Sequence, residues 1–410
     1  MSKSKWWTAK RVSLLSLASH RETPLYIYDS ETLKSNVEEL LTTLGPSVDR
    51  LFYAVKANSN RELLGVLEKC FGPDHCHTNI NYECVSLPEI ELIIGLNPGI
   101  NRDRILFTPN FAPKYEYERA FELGVHVTVD SEYILDNWAH LLTKHQQNRA
   151  SLFLRFNPEL NYGHHEHVKT ALVTSKFGLQ RHRSEIIGQK LQESGIKVTG
   201  LHCHSGSGIF DFTVWSEHVQ FLSSLLPFFP DVKYLNIGGG LGVQEQDCAP
   251  PLELTHVNQT LSVIKATLPS QIELWLEPGR YIASRCGVLL TRVTQVKMVF
   301  EETNKDETHK NPMPVKRLIG VDTGMNSLIR PALYGATHQV HNLSRLEDND
   351  LPIPTSVVGP ICESADVIAR NVALPPCQEN DVMLIDNVGA YGRVMASAYN
   401  CRQPAREIVI

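Results

Sequence analysis

Between residues 50 and 277 the chain returns eight times to the same unit, a short run of β-branched, aromatic or aliphatic residues followed by a stretch with apolar positions at helical spacing. The strand-like runs fall at 51–55, 79–84, 105–108, 126–129, 152–156, 199–203, 234–237 and 273–276, and helices are expected at 61–70, 131–145, 184–193, 212–229 and 254–268. Strands that alternate with helices join by right-handed crossovers into a parallel sheet, and eight units over about 230 residues are what closure into a (β/α)8 barrel requires. An open doubly wound sheet is the alternative that the same alternation allows. After residue 285 the pattern changes: 288–299, 317–321, 338–343, 355–359, 382–385 and 407–410 read as strands without helices between them, and the polar segment 305–314 reads as a loop. The expected organisation is an N-terminal helix and strand over 1–28 that join a β domain, a barrel over 29–285, and the β domain itself, a sandwich or barrel, over 286–410.

Charge and composition narrow the class of function. The 410 residues carry 39 Lys plus Arg against 45 Asp plus Glu, a net charge of −6, without a basic cluster, so no nucleic-acid partner is expected. No apolar run approaches the roughly 18 residues of a spanning helix, so no membrane partner is expected either. Nine cysteines scattered from Cys70 to Cys401 read as the reduced thiols of a cytoplasmic enzyme. The N-terminus is basic and has no acid before Glu22, as a targeting peptide would, but its apolar stretch 12–18 is short and broken by serines. Trp6, Trp7, Leu14, Leu15 and Leu17 suit a short amphipathic helix packed on the body.

Barrel enzymes carry their chemistry at the C-terminal ends of the strands, and the polar residues of this chain fall there. Lys56 follows the first run, Glu83 ends the second, Arg155 lies in the fifth and His204 follows the sixth. Gly238-Gly239-Gly240 follows the seventh and Glu277-Pro278-Gly279-Arg280 the eighth, where barrels often hold a phosphate. Lys56 in a partly desolvated mouth is suited to Schiff-base chemistry with an aldehyde, or else it snorkels to solvent. His202 and His204 share one face of a strand, which admits a metal, a ring stacked on a planar cofactor, or a satisfied core histidine; no third or fourth ligand accompanies them, and no metal is expected. Gly206, Ser207 and Gly208 can offer amides and a hydroxyl to a phosphate. The cluster of His164, His165 and His167 lacks HExxH spacing and reads as a loop. LNIGGGLG is not the dinucleotide fingerprint, because Val243 stands where the third glycine belongs. Glu277 and Arg280 can serve a ring nitrogen and a phosphate, or form a structural salt bridge. In the β domain, Cys362 lies beside Glu363, Tyr391 follows a tight turn, and Arg330 and Tyr334, four apart, suit a carboxylate clamp, although a surface Arg is the commoner case.

Taken together, YAVKAN, HCHSGSG, NIGGGLG, EPGR, GPICES and GAYG resemble the fold-type III pyridoxal-phosphate-dependent decarboxylases of amino acids, in the family's order and over about 340 residues. Within that group the chain is similar to the diaminopimelate decarboxylase branch, above all to the decarboxylase half of fused aspartokinase/decarboxylase proteins, through KWWTAKR, LFTPNFAP, GHHEHVKT, SKFG, GMNSLIRPALYGA and MASAYN. No kinase half accompanies it, so decarboxylation alone is expected. The resemblance implies pyridoxal 5'-phosphate held covalently by Lys56, stacked on by His204 and paired at its ring nitrogen with Glu277. Ser207, Gly239, Gly240, Arg280 and Tyr391 are implied for the phosphate or the adjoining substrate. The resemblance further implies meso-2,6-diaminopimelate as the substrate, whose amine would take the place of Lys56, with carbon dioxide and L-lysine as products and Cys362 as the proton donor. Family precedent places Cys362 and Glu363 in the other subunit's site, hence a homodimer with shared active sites. The small-molecule substrate carries a distal carboxylate for Arg330, Tyr334 and Arg280, and a distal amine for Glu363. A decarboxylase of the ornithine or arginine type, a non-catalytic pyridoxal-phosphate-binding protein and a racemase are the competing readings. Two departures, Ala365 for the family's usual Gly and Tyr82 for a common Phe, remove no functional group. The Cys/His-rich stretch 74–84 has no catalytic explanation.

Overall fold

A computed structural model describes residues 5–72, 79–145, 151–159, 174–245, 250–300 and 314–410. They form two compact units: Lys34–Gln244 with Pro250–Ile282, and Met1–Leu33 with Glu245–Ala249 and Ala283–Ile410. The first strand of the chain, β1 (Leu25–Tyr28), belongs to the second unit. The next eight, β2 (Arg50–Ala54), β3 (Ile80–Cys84), β4 (Ile105–Phe107), β5 (His126–Val129), β6 (Leu152–Arg155), β7 (Gly200–His202), β8 (Tyr234–Asn236) and β9 (Glu273–Leu276), build the first.

All eight pair in parallel and in sequence order, and β2 closes on β9 through Arg50↔Trp275 and Leu51↔Leu276, so the sheet is a barrel and not the open doubly wound alternative. Its interior is filled from inside. Phe52, Leu106, Phe153 and Trp275 are fully buried together, with Tyr234 packed against them and ring centroids 4.6 to 5.0 Å apart around Trp275. Such aromatic contacts add about 0.5–1.5 kcal/mol each to the area they bury. A plugged interior leaves the C-terminal mouth as the place for chemistry.

The helices follow the apolar spacing, with local corrections. Helix Arg61–Phe71 starts at Asn60, whose side-chain oxygen accepts the amides of Glu62 and Leu63, and it buries Leu63, Leu64, Leu67 and Phe71. The single helix expected at 131–145 is two, Glu132–Asn137 and Ala139–His145, because Trp138 leaves helical geometry (φ −121°) and sets its ring edge-on to Tyr117 and Tyr133. The helix expected to reach 229 stops at Ser223, and Pro227 nucleates a separate 3-10 turn, Leu226–Phe228.

The second unit is strand-rich. Around β10 (Gly287–Phe300), β11 (Pro314–Val321), β12 (Val340–Asn342), β13 (Leu351–Val358), β14 (Val367–Leu374) and β15 (Val382–Ile385), the sheet runs β12-β15-β10-β11-β13-β14. β1 joins it antiparallel to β10 and is flanked by β16 (Arg406–Val409) in parallel. β14 is a strand that the sequence reading passes over. The loop expected at 305–314 lies almost wholly outside the described residues.

The N-terminal helices Trp6–Ala9 and Arg11–Arg21 belong to this unit's core. Trp7, Leu14 and Ala18 are buried with Leu25, Ile27, Val288, Leu290, Leu343, Val382 and Leu384. Leu14 is 0% exposed, so Leu14→Ala is expected to cost about 2–5 kcal/mol through lost transfer energy plus cavity. Denaturant unfolding checks it, and an unchanged midpoint would remove this helix from the core.

Candidate active site

Lys56 sits in the turn Val55–Ala57 directly after β2, a turn held in place by the Tyr53 hydroxyl donating to the Asn58 carbonyl at 2.9 Å. Its ammonium does not lie among apolar groups as the sequence reading expects. It is 2.5 Å from Oε2 of Glu83, whose other oxygen accepts the hydroxyl of Thr108. Glu83 is 1% exposed on β3 and Thr108 follows β4, so three successive strand ends fix one amine. The ion pair, and not desolvation, is what orients the lysine.

Across the mouth, Glu277 follows β9 and is buried. One oxygen accepts from the Asn236 amide at 2.7 Å, and the other lies 3.5 Å from Nε2 of His202. Burial alone would push this carboxyl up, but the neighbouring His202 ring and the Lys56 ammonium hold it well below the ordinary carboxylate range. A charge is thus kept at the centre of the mouth. His204 behaves in the opposite sense: burial, and then the Arg155 guanidinium, push its imidazole well below the usual histidine range, so the ring is neutral. Its Nδ1 accepts the Gly239 amide at 3.3 Å. Glu277 and Arg280 do not form the structural salt bridge that EPGR allows; each turns to other partners.

The third cluster joins the ends of β7, β8 and β9. Gly238 and Gly240 adopt φ of +69° and +91°, and a Cβ on Gly239 would stand 2.0 Å from the Glu277 carbonyl oxygen, so this turn needs glycine. Gly240 packs on the Gly206 carbonyl, and the neighbouring Ser207 hydroxyl accepts from Nε of Arg280 at 2.9 Å. His218, fully buried, links its ring to Ser205 and to the Ile237 carbonyl, and Trp215 donates to the Gly239 carbonyl at 2.9 Å. Both brace the glycine turn from behind.

An amine, a carboxylate held ionised, a neutral flat ring, and a guanidinium with a hydroxyl beside a glycine turn match the aldehyde, ring nitrogen, ring face and phosphate of pyridoxal phosphate. Sequence reasoning notes Glu83, Arg155 and His202 without giving them a role, and misses Thr108 and Asn236; the signal was their place at strand ends. His164, His165, His167 and residues 74–78 of the Cys/His-rich stretch lie outside the described residues.

The remaining candidates belong to the strand-rich unit. Arg330 opens helix Arg330–Tyr334 and is 1% exposed, not a surface arginine; it donates to Nε2 of His338 at 2.9 Å and to Oε1 of Glu245 at 3.1 Å. Tyr334 is half-buried on the same helix. Cys362 and Glu363 are exposed on a turn pinned by the buried Asp366, whose oxygens accept the amides of Met325 and Ile361. The Cys362 amide donates to Asn400 at 2.9 Å, and Glu363 accepts from the Tyr399 hydroxyl at 2.6 Å. Tyr391 occupies the left-handed region (φ +57°). Among the described residues no helix is long and apolar enough to cross a membrane.

Residues 31–284 match the family model described as pyridoxal-dependent decarboxylase, pyridoxal binding domain. The diaminopimelate decarboxylase of Archaeoglobus fulgidus is 31% identical over 417 positions, covering 98% of this chain and 91% of that protein. The crystal structure of diaminopimelate decarboxylase from Helicobacter pylori complexed with L-lysine superposes with a TM-score of 0.82 at 27% identity, covering 96% of this chain and 93% of that one. A lysine/ornithine decarboxylase from Vibrio vulnificus, complexed with putrescine, has a TM-score of 0.77 at 19% identity, covers 98% of both chains, and carries the fold alone.

Proposed function

The chain belongs to the pyridoxal-dependent decarboxylase family, and on that premise we propose that it converts meso-2,6-diaminopimelate to L-lysine and carbon dioxide with pyridoxal 5'-phosphate. The observation that carries the reading is the convergence of Lys56, Glu277 and the Arg280–Ser207–glycine turn at one barrel mouth. The cofactor, when bound, supplies an aldehyde and an electron-withdrawing ring that takes up the electrons left when carbon dioxide departs.

Each residue then has a task. Lys56 must lose a proton before its amine can bond to an aldehyde, and Oε2 of Glu83 at 2.5 Å is placed to hold that proton. Glu277, ionised, stabilises a protonated ring nitrogen. His204, neutral, offers a flat face without a competing cation. Arg280 and Ser207, with Gly239, Gly240 and Tyr391, bind a dianionic phosphate or the adjoining carboxylate. Arg330, with Tyr334, receives the distal carboxylate. Cys362 supplies the proton that ends the reaction, and with Glu363 it serves the partner subunit's site in a homodimer, which accounts for the exposure of both on their own chain.

Carbon dioxide release by the pyridoxal-phosphate-loaded protein, compared for meso-diaminopimelate, ornithine, arginine and lysine, tests the substrate. Turnover of the first alone is expected. Preferential turnover of ornithine or arginine would move the chain to the diamine-forming branch.

A further inference from the structure

Cys362 and Glu363 are exposed, yet the backbone beneath them is held from two sides. On one side the buried Asp366 carboxylate accepts the Ile361 amide at 2.7 Å and the Met325 amide at 2.6 Å. Gly324 and Gly359 make room for it, since a Cβ on either would stand 2.3 Å from one of its oxygens. On the other side the carbonyl of the buried Asn326 accepts the Ser397 amide at 2.8 Å, and its side-chain amide donates to the Arg402 carbonyl at 3.3 Å, which pins both ends of the loop 397–402. At the tip of that loop Asn400 and Cys401 hold φ of +55° and +57°. Two consecutive non-glycine residues in the left-handed region are strained, and such strain persists where the surrounding contacts impose it. The tip meets the turn: Oδ1 of Asn400 accepts the Cys362 amide at 2.9 Å, and among the described residues this is the one hydrogen bond that Cys362 makes.

We propose that Asn400 is a positioning residue that aims the Cys362 thiol. The inference rests on the reading of Cys362 as the proton donor and goes beyond it. The Glu363 amide donates to the Ile361 carbonyl at 2.8 Å, a three-residue turn with Cys362 at its apex. That closure fixes φ and ψ of Cys362 relative to the peptide plane that precedes it, and the Asn400 bond fixes the plane itself. Together they set the Cα–Cβ bond, and with it the direction of the thiol. A proton moves only over hydrogen-bond distance, and a misplacement of about 1 Å can cost about a hundredfold in rate. Asparagine suits position 400 on two counts: it tolerates the left-handed region better than most residues, and it carries an acceptor on a short side chain. The strain at the tip of the loop is what turns that acceptor to the Cys362 amide.

Two measurements on the pyridoxal-phosphate holoenzyme test this. Asn400→Gly keeps the left-handed φ and removes the acceptor, while Asn400→Asp keeps both. Hydrogen exchange reads the bond: the Cys362 amide is expected to exchange at least about tenfold faster in Asn400→Gly and within about threefold of wild type in Asn400→Asp. A double-mutant cycle with Cys362→Ala reads the role. Asn400→Gly is expected to cost at least about tenfold in kcat when Cys362 is present and less than about twofold in the Cys362→Ala background, whereas a merely structural contribution costs the same factor in both. Equal factors in the two backgrounds, or wild-type exchange of the Cys362 amide in Asn400→Gly, overturn the role of Asn400 and leave Cys362 as the proton donor. Full activity in Cys362→Ala overturns the donor reading and this inference with it.

Discussion

The Lys56→Arg variant is expected to lose at least about 10⁴-fold in kcat while unfolding at the wild-type temperature, and Lys56→Ala is expected to lose as much activity and some stability besides. The two substitutions separate the chemistry of the amine from its charge. Glu83 is 1% exposed and is neutralised by the Lys56 ammonium at 2.5 Å. Alanine removes that cation and leaves a buried carboxylate with the Thr108 hydroxyl alone, a loss that costs stability whatever the catalytic role of Lys56. Arginine restores the cation, but a guanidinium keeps its proton at any working pH and cannot become the amine nucleophile. Borohydride treatment followed by intact-mass measurement gives a second readout: the wild-type protein is expected to gain the mass of the reduced cofactor, and neither variant is. Activity in Lys56→Arg within about a hundredfold of wild type would mean that another amine carries the reaction.

The barrel was legible because its strands are buried on both sides, and burial on both sides writes a continuous apolar run into the sequence. β14 was not, since Arg370 and Asn371 interrupt VIARNVAL, and Asn371 holds a positive φ of 53° at an irregular register with β13. The break at Trp138 was also hidden, because it is made by ring packing on Tyr117, 21 positions upstream, and no local propensity encodes that. The site shows the same division. Lys56, His204 and Glu277 could be picked out because a strand end announces a barrel mouth. The partners that tune them could not: Thr108 meets Glu83 across 25 residues of sequence, Asn236 meets Glu277 across 41, and Arg330 meets Glu245 across 85. Such pairings are set by which strand or loop lies next to which, so residue type alone gives them no mark. Lys56 shows the consequence. Its strand, whose other residues are apolar, predicts a partly desolvated amine, and a carboxylate from the neighbouring strand makes it an ion pair instead.

Glu277→Gln is expected to fold and to retain cofactor, yet to lose about 10²–10³ in kcat. Glutamine keeps an oxygen to accept the Asn236 amide, now 2.7 Å from Oε1, so the packing at the end of β9 survives. The negative charge does not. In the wild-type protein burial would raise the carboxyl, but the His202 ring and the Lys56 ammonium outweigh it and hold the group well below the carboxylate range. It is therefore ionised throughout about pH 5 to 9, and it contributes no acid limb to the rate profile. The stability linkage has a definite sign: a depressed folded pKa stabilises the protein above the ordinary carboxylate pKa, and that contribution disappears as pH falls through the folded value. Glu277→Gln should accordingly be less stable than wild type at neutral pH, with the gap narrowing on acidification. Without the carboxylate, the charge that would keep a ring nitrogen protonated is lost, and the electron-withdrawing power on which loss of carbon dioxide depends falls with it. Single-turnover carbon dioxide release, alongside cofactor absorbance to establish occupancy, measures the effect on the chemical step. A kcat within a few-fold of wild type at full occupancy would show that the charge of Glu277 is structural, and the assignment of this barrel mouth to ring activation would have to be given up.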